Sequence, residues 1–369
     1  MIKRCVLLLA LLVLVADPAD LFRGAFGRVA FAAVPQRLTD GEFWKLITDL
    51  SEPNGTLPFD NVISNEVVFQ QVIPDLVFHT KPRRAYVGVG PEQNFTYIAA
   101  LKPSIAFVID LRRENLNLHL LYKALFEISV DRAQFLSLLF SRPLPAELGL
   151  DSTVKEMFAA YAKVKPSEAR YEKNLKAVID RLSRTHGFAL SPEDVKDIET
   201  IYQTFFKYGQ RLRWSSTGNN PARWPSYEEL MTATDNDGEE RSYLASEAEF
   251  NVVKNLQVRN LIVPLVGNFA GPKTIRAVGE YLKSKGALVS AFYLSNVEEY
   301  LRQDNVLGVF CESATTLPLD ASSRFIRSRH YGSPNGGVTF AKRRPVLKSD
   351  LGMMAEELKE CFRDRPPSK

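Results

Sequence analysis

The stretch RAYVGVGPEQNFTYIAALKPSIAFVID, residues 84–110, limits what this chain can fold into more than any other. Ala85 to Val89 is short, apolar and β-prone. Gly88 and Gly90 permit a tight turn, and Gln93 to Leu101 has helical composition, stopped by Lys102 and Pro103. Ile105 to Ile109 is a second apolar run, and it ends on Asp110. Neither run alternates apolar with polar residues, as a strand with one wet face would. Uninterrupted apolar strands belong to parallel sheets, where helices cover both faces. The stretch therefore predicts a strand–helix–strand unit inside an α/β fold.

A second such unit lies far downstream. Leu261 to Val266 reads as a strand, Pro272 to Lys285 as a helix closed by Gly286, and Leu288 to Tyr293 as the next strand, ending in Leu294-Ser-Asn296. Between the two units, from about Val130 to Phe250, helical patterns take over. Leu175, Val178, Ile179 and Leu182 fall at helical spacing, and Ser191-Pro-Glu-Asp opens another helix. Ser226 with Glu229 and Ser246 with Glu249 match capping boxes. Leu116 to Ile128, apolar on most faces, predicts a helix packed between sheet and insertion. Towards the end, Leu307 to Glu312 and Arg324 to Arg329 read as an antiparallel edge pair, followed by a helix from Asp350 to Arg363. The expected organisation is a first half-domain at 34–129, a helical insertion or lid at 130–250, a second half at 251–345, and a C-terminal helix with a polar tail at 346–369. A chain of 369 residues accommodates this.

Ahead of the first unit, Thr39 to Leu50 predicts an amphipathic helix. Ser64-Asn-Glu precedes Val67, Val68, Phe69, Val72 and Ile73, which reads as a capped helix stopped near Pro74. Two readings of Ser64 to Glu66 stand: plain helix capping, or a segment that closes over a ligand cleft.

In an open parallel sheet the carboxyl ends of the strands collect at one edge, and ligands bind there at the point where strand order reverses. That edge is expected to gather Gly90, Asp110, Asn268 and Asn296. Glycine lets backbone N–H groups approach a ligand closely. An acid about 20 residues past the glycines, at a strand end, is where nucleotide-type folds place a ribose-hydroxyl acceptor. His119, inside an apolar run, reads as a packed residue without a role. Trp214 and Trp224 flank a polar loop, as a binding rim or as anchors. Asp235-Asn-Asp-Gly238 lacks the spacing of a calcium loop and reads as a turn.

Composition excludes several classes. The net charge of +4 is spread among interleaved acids and gives no nucleic-acid footprint. Cys5, Cys311 and Cys361 form neither a disulfide framework nor a metal spacing, and nothing in the sequence demands a Cys311–Cys361 bridge. No nucleophile elbow, HExxH or P-loop is present. A small-molecule ligand is expected, without metal and without nucleic acid. At the amino terminus, Met1-Ile-Lys-Arg precedes an apolar run from Cys5 to Ala16. It is shorter than the roughly 20 residues of a spanning helix but suits a signal-peptide core. With small residues at Ala30-Phe-Ala-Ala33, it predicts a leader at 1–33 and export, periplasmic or secreted, or tethering to the membrane through that leader alone. A cytoplasmic chain is the alternative.

Residues 84–128, and more loosely 260–301, resemble the class I S-adenosylmethionine-dependent methyltransferases. In that family a glycine turn approaches the methionine moiety and an acid ends the second strand. The resemblance implies a Rossmann-like, mostly parallel sheet carrying the large helical insertion, with S-adenosylmethionine as cofactor and methyl transfer to an unidentified substrate. It implies a cofactor site drawn from Gly88, Gly90, Glu92, Asn94, Asp110, Asn268, Tyr293 and Asn296, with Asn268 or Tyr293 orienting a nucleophile. Methyl transfer chiefly needs in-line positioning, so no general base is assigned. The chain departs from the pattern at Tyr86, where an acid is usual, and at Glu92, where a third glycine is usual. A wider set of stretches, SNE at 64–66, VGPEQN at 89–94, RSYLA at 241–245, NLIVPLVGNFAGP at 260–272 and FYLSNVEEYL at 292–301, resembles a bacterial family of uncharacterised activity. An exported, non-catalytic or differently liganded Rossmann-like binding or envelope protein is the second expectation.

Overall fold

Five strands set side by side in parallel form the centre of the computed structural model, which describes residues 33–57, 61–214, 224–330 and 347–363. The leader, the interior of the Trp214–Trp224 loop and the polar tail lie outside those residues. The strands are β1 Ala85–Val89, β2 Ile105–Asp110, β3 Ile262–Val266, β4 Val289–Ser295, β5 Arg324–His330 and β6 Leu347–Met353. Their order is β3-β2-β1-β4-β5-β6, and only β6 runs antiparallel, against β5. β1 meets β2 from Ala85↔Ile105 to Val89↔Ile109, and β2 meets β3 from Ala106↔Ile262 to Asp110↔Val266. Every residue of β1, β2 and β3 is buried, as continuous apolar runs require. Strand order reverses between β1 and β4.

The helices, in chain order, are α1 Asp40–Leu50, α2 Ile73–His79, α3 Gln93–Leu101, α4 Arg113–Ile128, α5 Arg132–Leu139, α6 Val154–Ala162, α7 Glu168–Asp180, α8 Pro192–Tyr208, α9 Tyr227–Met231, α10 Glu247–Val258, α11 Thr274–Ser284, α12 Val297–Gln303, α13 Leu307–Ala314 and α14 Met354–Arg363. α4 is the pivot. It is buried without interruption from Asn115 to Phe126, because β2 and β3 lie against one side while α8 and α10 lie against the others. Phe95 of α3 meets α4 edge-on, with ring centroids 5.2 Å from Tyr122 and 5.3 Å from Phe126. The inserted helices α5–α9 thus share one core with the sheet, and the described residues from 33 onward form a single compact unit.

Three local expectations are corrected. Leu307 to Glu312 is helical: α13 turns Phe310, Cys311 and Ala314 inward, a helical grouping that a six-residue apolar run does not reveal by periodicity. The edge partner of β5 is β6, so Asp350 belongs to a strand and the last helix begins at Met354. Pro74 does not stop a helix. It sits in the first turn of α2, where the missing N–H would have no intrahelical partner anyway, and a short 3₁₀ segment Phe69–Val72 precedes it. Asp235 closes a turn by accepting from the N–H groups of Asp237 and Glu239, both at 2.9 Å, and from Arg241 Nε at 2.8 Å. A disulfide joins Cys311 of α13 to Cys361 of α14.

Candidate functional site

The turn after β1 is held from inside. Asn94, in the first turn of α3, folds back so that its Nδ2 donates to the carbonyls of Val89 (2.9 Å), Gly90 (3.2 Å) and Pro91 (2.7 Å). Its Oδ1 accepts from Tyr86 Oη at 2.8 Å. A methyl group on Gly88 would lie 2.0 Å from that Oδ1, so Gly88 is there for space. Gly90 has open room around it but a φ of +78°, so it is there for conformation. His119 of α4 adds a bond from Nε2 to the Gly90 carbonyl, 2.9 Å. A carbonyl accepts, so the proton sits on Nε2 and Nδ1 carries a lone pair. That buried Nδ1 has no partner. Burial pushes the imidazole down to about 4, and it is neutral at physiological pH.

At the reversal point between β1 and β4 the occupant is Glu66. It is 1% exposed. Its Oε1 accepts from Tyr293 Oη (2.7 Å) and Ser295 Oγ, and its Oε2 accepts from Gln93 Nε2 (3.1 Å) and Ser328 Oγ. Those donors come from α3, β4 and β5. Burial raises the Glu66 pKa while the four donors oppose the rise. Ser64 Oγ accepts from the Glu66 N–H at 3.1 Å, and the Ser64 N–H donates to Glu92 Oε1 at 3.3 Å. Ser64 to Glu66 therefore closes the crevice that an open α/β sheet ordinarily offers a ligand. Glu92, also fully buried, keeps Oε2 without a partner, and burial pushes its carboxyl up to about 8. At neutral pH it is an acid holding its proton.

The other expected residues are engaged separately. Asp110, 4% exposed at the end of β2, accepts through Oδ1 from the Arg112 N–H (3.0 Å) and Arg112 Nε (3.2 Å). Burial raises its pKa and the Arg112 guanidinium opposes the rise. Asn268 folds into its own loop, accepting from the Ala270 N–H at 2.9 Å. That loop is organised by Glu52, which accepts from the N–H groups of Asn268 (2.8 Å), Lys273 (2.7 Å) and Thr274 (3.0 Å) and so sits at the positive end of α11. Asn296 lies just before α12, its Oδ1 3.4 Å from Ser295 Oγ. The structure thus brings Gly88, Gly90, Glu92 and Asn94 together in one turn and joins Tyr293 to it through Gln93. Asp110, Asn268 and Asn296 each have other partners.

Open space lies past the end of β2. A cavity of about 300 Å³ is bounded by Arg112, Glu114, Asn115 and Leu118 of the β2–α4 corner, by Asn61, and by Asp197, Ile201, Leu212 and Arg213 of the insertion. Arg112 links it to Asp110, and Arg213 pairs with Glu229 at 3.0 Å. Asn115 is 3% exposed, yet neither its Nδ2 nor its Oδ1 has a partner, and Asn61 Oδ1 is likewise unpaired. Asn115 and His119 are four residues apart on one face of α4. Sequence reasoning passed over Glu66 as a buried centre, Arg112, Asn115 and the Gly90–His119 bond. The one local signal was Arg112-Arg-Glu-Asn directly after the acid at a strand end.

Residues 61–346 match the family described as "Domain of unknown function (DUF7790)", and the chain belongs to that family. No curated protein matches it.

Proposed function

We propose that this chain is a small-molecule-binding protein on a Rossmann-like frame of class I methyltransferase type, with its ligand in the cavity beside Arg112 and Asn115. One observation carries the reading. The crevice at the reversal point is filled by Glu66 with four donors, and the space beside the unpaired Asn115 lies past the end of β2. A cavity of about 300 Å³ is at the small end of ordinary ligand sites. The Cys311–Cys361 bridge supports work in an oxidising compartment, in line with export.

S-adenosylmethionine-dependent methyl transfer is the second reading. The placement of Gly90 just beyond the end of β1 and of Asp110 at the end of the adjacent parallel strand β2 favours it. On that reading the ligand ribose must displace Arg112 from Asp110.

Calorimetry of the purified protein separates the two, alongside thermal-shift screening of small polar metabolites. Thr200→Trp, an exposed position on the cavity wall, blocks the cavity without touching the core. The proposed reading expects stabilising ligands whose effect Thr200→Trp removes, and no binding of S-adenosylmethionine. Micromolar S-adenosylmethionine binding that is lost in Asp110→Ala and unaffected by Thr200→Trp would establish the second reading instead.

A further inference from the structure

The amino edge of the sheet, at the other end of the strands from the cavity, is basic. Each of the five parallel strands is entered past a cation: Arg259 before β3, Lys102 before β2, Arg83 before β1, Lys285 before β4, and Arg324 as the first residue of β5. In the order β3-β2-β1-β4-β5 these entries fall side by side, with neighbouring strands about 4.8 Å apart. The Arg83 N–H donates to the Lys102 carbonyl at 3.2 Å, so two of them touch directly, and Lys81 is exposed beside them. Acids reach the same edge, but most are tied to local partners. Asp320 accepts from both terminal nitrogens of Arg84 (2.7 and 2.6 Å), Glu42 caps Thr39, and Asp40 is held by His186 and Asn260, both at 2.8 Å. Asp75 of α2 is exposed. Glu239, Glu240 and Glu249 flank Lys102 across a groove beside α10, with Glu240 paired to Lys155 at 2.9 Å, and bound the basic field on that side.

Cations at helix C-termini complement the helix dipole. That accounts for Lys102, Arg259 and Lys285, which follow α3, α10 and α11. It does not account for Arg83, which lies well past the end of α2 and keeps a φ of +59°, a conformation glycine adopts at lower cost. Nor does it account for the apolar side chains at this edge. Phe78, near the end of α2, is 82% exposed, and both its neighbour Val77 and Met353, which pairs with Arg324 in the β5–β6 ladder, are exposed as well. A phenylalanine standing clear of the fold among basic residues suits the boundary between lipid headgroups and acyl chains. The chain also enters the fold here. The Leu38 N–H donates to the Arg259 carbonyl at 3.0 Å, and Asn260 Nδ2 donates to the Leu38 carbonyl at 3.0 Å, just ahead of β3. The apolar run Cys5 to Ala16 precedes that point in the sequence.

We propose that the amino edge of the sheet docks on an anionic phospholipid bilayer, with Lys81, Arg83, Lys102, Arg259 and Lys285 at the headgroups and Phe78 inserted beside them. The folded part then adds a membrane contact of its own to any made by the leader. The test is co-sedimentation of the full chain with vesicles of phosphatidylcholine alone, or of phosphatidylcholine with phosphatidylglycerol. Three variants are compared with the parent: Lys81→Glu/Arg83→Glu/Lys102→Glu, Phe78→Ser, and Lys163→Glu/Lys165→Glu/Lys173→Glu. The last makes the same change of net charge on exposed residues of the insertion. The parent is expected to prefer the phosphatidylglycerol vesicles, with a preference that shrinks at high salt. A basic residue at an anionic surface is worth roughly fivefold in binding, so the edge triple loses about a hundredfold or more and the control triple far less. Phe78→Ser weakens binding to the anionic vesicles by roughly tenfold or more. Should the edge triple not fold, Lys81→Glu and Phe78→Ser, both at exposed positions, decide in its place. Equal binding to the two kinds of vesicle overturns the proposal, and so does a control triple that falls as far as the edge triple. If the edge triple and Phe78→Ser bind as the parent does, the leader alone carries the membrane contact and the proposal fails. Retention of a DNA duplex through the same three cations, with no preference for anionic vesicles and no effect of Phe78→Ser, would assign the edge to nucleic acid instead.

Discussion

Replacing Glu92 by glutamine isolates one proton. In the folded chain Glu92 is buried, its Oε1 accepts from the Ser64 N–H, and its Oε2 touches no donor. Glutamine preserves the first contact and places an amide where the protonated acid's O–H already lacks a partner, so at low pH the two proteins are close to equal. They part as pH rises. Burial lifts this carboxyl from its ordinary 4.5 to about 8, so between those values the folded state holds a proton that the unfolded state has released. A group whose pKa is raised on folding contributes stability that is complete below the unfolded value and is lost as pH rises through the folded one. The slope is about 1.4 kcal/mol per pH unit for a single proton. Across the whole window the loss is on the order of 5 kcal/mol, a ceiling that local relaxation lowers. Urea denaturation of both proteins from pH 5 to about pH 9 measures it, because every other titrating group is common to the pair and cancels. Glu92→Gln is expected to match the parent near pH 5, to gain on it steadily through neutrality, and to hold a constant advantage above about pH 8. Parallel stability curves over the entire range would refute a proton held by burial.

Two further perturbations address the rest of the frame. Glu66→Ala strands four donors from three elements, and a loss of about 3–5 kcal/mol is expected in the same denaturation assay. Glu66→Gln loses less, because the tyrosine and serine hydroxyls can turn to accept; an unchanged midpoint in Glu66→Ala would mean the crevice is not sealed this way. The Cys311–Cys361 bridge closes a loop with a sequence separation of 50, for which chain entropy gives roughly 4 kcal/mol. Dithiothreitol is expected to lower the melting temperature of the parent and to leave the Cys311→Ala/Cys361→Ala double variant where it is. Two freely titratable thiols in protein recovered from an oxidising compartment would dismiss the bridge.

The first strand–helix–strand unit was legible almost to the residue, with β1, α3 and β2 at the bounds that the apolar runs and the Lys102-Pro103 stop imply. Nothing there depended on distant sequence: a fully buried strand announces itself by having no polar alternation. β6 could not be seen that way. Its LKSDLGM sequence has little β preference and lies in a strand only because β5 pairs with it from Arg324↔Met353 onward. The site was hidden for the same reason. The donors to Glu66 lie at Gln93, Tyr293, Ser295 and Ser328, so no window of sequence contains the cluster. Asn115 looks like a solvated first turn of a helix. It becomes a cavity wall only when Asn61 and the insertion helix α8 fold over it.

Placed together, the carboxylates at this edge of the sheet take donors that an anion would otherwise use. Anion sites in α/β folds draw on helix N-termini and free backbone N–H groups. Here Glu52 already takes the Asn268 N–H of the preceding loop and the Lys273 and Thr274 N–H groups at the start of α11, and Glu66 takes the hydroxyls and the amide around the reversal point. The chain's own acids occupy those donor positions. The buried groups left open around the glycine turn and the start of α4 are of another kind: an amide at Asn115, a lone pair at His119 Nδ1, and an acid at Glu92 that keeps its proton at neutral pH. None of these three carries charge. Donors around the reversal point and at the start of α11 that are already taken by the chain's own acids are fewer donors left for a phosphate or carboxylate.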